Sequence, residues 1–189
     1  MQGTMSRSEM KTDLHQNARV GLDRMVQEIR MAGYDPSGII PQVTLQPRTA
    51  IRAAASGCIA FIADVSGTGT ADQVTYSLDG TALRRRVDNW DSGSLNFGTG
   101  TPQPQAETVD LFTLTYYDFF ERVLSPASWT SSQRCPPLAG APQEAIVQLT
   151  YWQMRQVRRI SIVLRTRDSR PGVPSEFYTL TSDVRLRNR

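Results

Sequence analysis

The hydrophobic period of this chain changes once, and that change limits what the chain can fold into. From Ser8 to Ala32 the apolar residues Leu14, Ala18, Leu22, Met25, Ile29 and Ala32 recur every three or four positions, which places them along one face of a helix. Polar residues such as Asp13, Gln16, Arg19 and Asp23 fall between them. The start is poorly marked, because Ser8 followed by Lys11 makes no capping box. The end is sharp. Gly33 can take the left-handed C-terminal conformation, and Asp35-Pro36-Ser37-Gly38 is turn chemistry.

Beyond a loop-rich stretch carrying Pro41, Pro47 and Ala53-Ala54-Ala55, the period becomes two. Strands are expected from Cys58 to Val65, from Gln73 to Asp79 and from Thr81 to Val87, the last two joined at Asp79-Gly80, a strong hairpin signal. Asp88 to Gln105 reads as a surface loop, Glu107 to Phe120 as a long strand, Leu124 to Pro142 as a loop and Ala145 to Trp152 as a short strand. The clearest alternation comes last. Ile160, Ile162 and Leu164 oppose Arg159, Ser161, Arg165 and Arg167, and Tyr178, Leu180, Val184 and Leu186 line a final strand. The expected fold class is α+β: a long N-terminal amphipathic helix packed on an antiparallel β-sheet. Residues 1–7 read as a remnant or linker, 8–33 as the helix and 34–189 as the β-sheet head of the same domain.

With 39% hydrophobic and 21% charged residues, the chain can build a core, which excludes wholesale disorder. The net charge of +3 rests on arginine, since Lys11 is the one lysine. Arg84, Arg85, Arg86, Arg159, Arg165 and Arg167 are candidates for binding an anion such as DNA, or are simply a solvated strand face. Cys58 and Cys135 fit one disulfide in an oxidising compartment, or two separate buried thiols. No apolar run reaches the roughly 18 residues that a spanning helix needs.

Catalytic chemistry finds little to use. His15 is the only histidine, sits on the polar side of the helix, and has no Ser and Asp placed to complete a triad. Asp64, Ser66, Thr68 and Asp72 follow the rhythm of a calcium loop with Gly69 at its sixth place. Hydroxyls replace two of its acids, and Thr75 stands where the closing glutamate belongs, so a plain turn is the better reading. Tyr116-Tyr117 and Phe119-Phe120 are either core or a stacking platform for single-stranded nucleic acid. No enzyme activity and no cofactor are expected.

Three stretches carry a family resemblance. They are QNARVGLDRMVQEIRMAGYDPSG from Gln16 to Gly38, ADQVTYSLDGTALRRR from Ala71 to Arg86, and LTSDVRLRNR from Leu180 to Arg189. The first resembles the helix of PilW-type minor pilins and of the related J-type pseudopilins of type II secretion. The second resembles the family's hairpin, and the third its last strand. The family's leader, processing site and apolar first half-helix are not in this sequence, so no processing or membrane residue transfers. The resemblance implies a structural subunit that primes, caps or modulates a pilus or pseudopilus. Leu14, Ala18, Leu22, Met25 and Ile29 would form its packing face. Other minor and major pilins would be its partners, and a native segment absent here would hold it at the periplasmic face of the inner membrane. A tip protein that binds DNA or a surface glycan through arginine-rich strands is the alternative.

Overall fold

The computed structural model describes residues 2–40, 50–94, 96–125, 149–168 and 175–187, with side chains from His15 onward except at Tyr151. Helix α1 covers Gln2–Arg30, so helical backbone begins six residues before Ser8. Its buried side chains are Ala18, Leu22, Met25, Val26, Glu28 and Ile29. Gly33, at φ 87°, ends the helix and donates its N–H to the Ile62 carbonyl at 2.9 Å. Asp35 then builds the exit turn by accepting from the backbone N–H groups of Ile39 and Ile40.

Ile51–Ala55 forms β1, Cys58–Ala63 β2, Asp72–Asp79 β3 and Ala82–Asp88 β4. With β7 (Gln103–Ala106) they make a five-stranded antiparallel sheet in the order β1-β2-β3-β4-β7. Between β4 and β7 lies a small ribbon of β5 (Trp90–Asp91) and β6 (Asn96–Phe97). Strands β8 (Val109–Tyr117), β9 (Val123–Leu124), β10 (Arg159–Asp168) and β11 (Glu176–Arg185) form a second sheet, in the order β11-β10-β8-β9. The two sheets are stitched together by Tyr116, whose hydroxyl reaches the carbonyls of Ala55 and Cys58 at 2.9 and 3.1 Å. Leu114 adds a backbone bond to Ser56. Apolar side chains from α1 and both sheets merge into one core.

The expected α+β plan, a long amphipathic helix packed on one antiparallel sheet, is corrected. Strands dominate the described structure, in two main sheets, and the buried side chains described on α1 lie between Ala18 and Ile29. The physical reason is the source of the core. Every residue of β2 is buried, so the strands bury one another as well as the described stripe of the helix. Two segments also differ from expectation. Ala53-Ala54-Ala55 belongs to β1, where buried alanines let neighbouring backbones approach. The strand expected at Ala145 to Trp152 is replaced, within its described part, by helix α2 (Tyr151–Gln156). A capping box of Thr150 and Gln153 starts α2.

Candidate functional site

The seam between α1 and the five-stranded sheet is polar at its centre. Glu28 sits on the helix with 8% of its surface exposed. Its Oε2 accepts from the Tyr76 hydroxyl at 2.7 Å and from Arg85 Nε at 2.8 Å. Its Oε1 lies 2.8 Å from a second Arg85 nitrogen and accepts from Arg24 at 3.1 Å. The guanidinium fork therefore meets the carboxylate at both oxygens, the strongest arrangement open to such a pair. Burial works against the Arg85 charge, but Glu28 wins and raises its pKa. Burial, and then the charge of Glu28, push Tyr76 far above the ordinary tyrosine range. Close by, Gly21 packs against β7. A Cβ there would stand 2.7 Å from the Gln105 carbonyl oxygen.

Five of the six candidate arginines face a carboxylate. Arg85 is the one held by Glu28. Arg84 Nε is 2.7 Å from Asp79 but not aligned as a hydrogen bond, and Arg86 pairs with buried Asp88 at 3.2 Å. Arg159 bridges Glu121 and Asp183 at 2.7 Å each and lies over the Tyr117 ring. Arg165 donates to Asp110. Arg167 donates instead to the Ser175 hydroxyl and stands near the Phe177 ring. The structure does not bring the six together: three lie on β4 and three on β10.

Of the packing face, Ala18, Leu22, Met25 and Ile29 are buried, whereas the side chain of Leu14 lies outside the described residues. His15 stacks on Tyr178 at 3.8 Å. In the acidic loop, Asp64 accepts from the backbone N–H groups of Thr68 and Gly69. Ser66 bonds to Asp72, whose pKa is raised by burial above all, with the Asp64 charge adding to it. The Asp64 carboxylate thus closes its own turn. Among the described residues no three His, Cys, Asp or Glu side chains converge. Cys58 is buried and disulfide-bonded; Cys135 lies outside the described residues.

The aromatic cluster divides. Tyr116 is fully buried, whereas Phe119 and Phe120 are 75% and 71% exposed. Both rings sit on the β8–β9 turn, where Asp118 accepts from the N–H groups of Phe120 and Arg122 and from Arg122 Nε. Desolvation opposes the Asp118 charge, but these donors prevail and hold its carboxyl below the usual range. Sequence reasoning missed Glu28, because nothing in a helix-face pattern says which acid will meet a strand arginine.

No family model and no curated protein matches the chain. Among solved structures it is similar to a type IV-like pilin from Thermus thermophilus, with a TM-score of 0.50 over 93% of this chain and 97% of that one. The fold is pilin-like. At 11% identity the likeness is one of fold. The pilin-like fold leaves the PilW-type and J-type resemblance resting on the sequence.

Proposed function

We propose that the chain is a structural subunit of a pilus-type filament, a minor pilin or pseudopilin that primes, caps or modulates assembly. The observation that carries this reading is the pilin-like fold over nearly the full length of both chains. The resemblance of Gln16 to Gly38 to a minor-pilin helix supports it. In this reading the N-terminal turns pack against other pilins, the head faces the periplasm or the filament surface, and the subunit carries out no catalysis. No helix among the described residues is long and apolar enough to cross a membrane.

The test separates the two ends of α1. Ile29 is fully buried, so Ile29→Ala should cost about 2–5 kcal/mol and lower the melting temperature of the isolated chain. Leu14→Ala should leave that temperature nearly unchanged, yet reduce filament formation or secretion when placed in cells. Equal destabilisation by the two, with assembly intact for Leu14→Ala, would overturn the reading.

A further inference from the structure

The β8–β9 turn presents apolar surface at a defined place. Phe119 and Phe120 meet edge to face at 5.5 Å, and Glu121 adopts a left-handed φ of 58°. Asp118 also closes the turn through its backbone, its N–H donating to the Arg122 carbonyl at 3.0 Å. With the N–H groups of Phe120 and Arg122 already bonded to the Asp118 carboxylate, the rings can enter an apolar medium without stripping water from those donors. The turn lies far from where His15 of α1 meets the second sheet. Tyr117 pairs with Arg159, whereas Tyr178, the stacking partner of His15, pairs with Thr166. The two places are seven residue steps apart along β10, about 23 Å at the usual rise per residue.

Charge surrounds the rings unevenly. Arg122, Arg159 and Arg185 are balanced by Asp118, Glu121 and Asp183. Arg158 and Arg187 are exposed and have no acidic partner among the described residues. Both lie beside the turn, since Arg158 N–H donates to the Tyr117 carbonyl and its own carbonyl accepts from Leu186. An apolar tip with adjacent uncompensated arginines is the pattern that binds an anionic lipid surface. Stacked bases fit less well, because the two rings are perpendicular at 87° and Arg122 covers Phe120 at 5.0 Å. A second copy of the chain would bring like charge onto like charge.

We propose that this turn is a wedge that inserts Phe119 and Phe120 into the interface of an anionic bilayer, with Arg158 and Arg187 meeting the headgroups. The proposal does not depend on the filament reading. The whole chain should co-sediment with vesicles of phosphatidylcholine mixed with phosphatidylglycerol, and less as salt is raised. The double variant Phe119→Ala/Phe120→Ala should bind about tenfold or more weakly with an unchanged melting temperature. If it melts early, Phe119→Ser alone asks the same question, and Phe119→Trp should retain binding. Arg158→Ala and Arg187→Ala should each weaken binding about fivefold. The proposal is overturned if the chain ignores these vesicles, or if removing the rings leaves binding unchanged. It is equally overturned if the rings serve instead to hold oligothymidine or to dimerise the chain.

Discussion

In the five-stranded sheet Arg85 turns inward and meets a helix carboxylate at both oxygens; in the four-stranded sheet Arg165 lies on the solvent side and pairs with Asp110 across to β8. Both are strand arginines beside an acid, yet they carry different weight. Water already solvates Arg165, whose side chain is 39% exposed, so its pair adds little. Arg85 and Glu28 have both left water, and removing one partner would leave the other buried without its counter-charge. One pair decorates a face. The other fixes where the helix sits on the sheet.

The largest effect should come from breaking the inner pair from one side. Glu28→Ala would leave Arg85 buried without its anion and Tyr76 without its acceptor. A loss of about 3–5 kcal/mol is expected, read by denaturant unfolding. A loss no larger than that of an exposed pair would erase the contrast between the sheets. Next comes the disulfide at Cys58, which anchors β2 in the same sheet. Non-reducing mass spectrometry should find Cys58 joined to Cys135, and reduction should cost about 2–4 kcal/mol.

A third measurement uses pH. Burial raises the pKa of Tyr76, with help from Glu28, and burial raises that of Tyr116. Both tyrosines therefore keep their protons in the folded state at pH values where the unfolded chain releases them. Their contribution is fully present below about pH 10 and is lost as pH rises above it, by roughly 1 kcal/mol per pH unit for each. Tyr116→Phe and Tyr76→Phe should each flatten this alkaline decline. The smallest effect belongs to the outer pair: Arg165→Ala should change stability by about 0.2–1 kcal/mol, less in high salt.

The same contrast explains what could be read from the sequence. The alternation around Ile160, Ile162 and Leu164 and the Asp79-Gly80 turn describe local surfaces, and the pairings of β3 with β4 and of β10 with β11 follow them. Gly33 and Asp35 likewise ended the helix as their local chemistry demands. Partition of the strands into two sheets was not legible, because Tyr116 reaching Ala55 is a contact between distant segments. β1 was hidden by alanines that favour helices in isolation. α2 could have been found from Thr150 and Gln153, a spacing that announces a helix start. Of the candidate sites, the arginines were visible as residues but their partners were not.

The way α1 is fastened also has a mechanical consequence. Glu28 ties it to β3 and β4 through Tyr76 and Arg85, and Gly33 ties its end to β2. These are the three inner strands of the five-stranded sheet. A pull along the helix therefore enters the head partly through the middle of the sheet, where each strand so loaded has a hydrogen-bonded neighbour on both sides. Through these polar ties, tension is spread over several strand bonds at once instead of falling on one edge strand bond by bond.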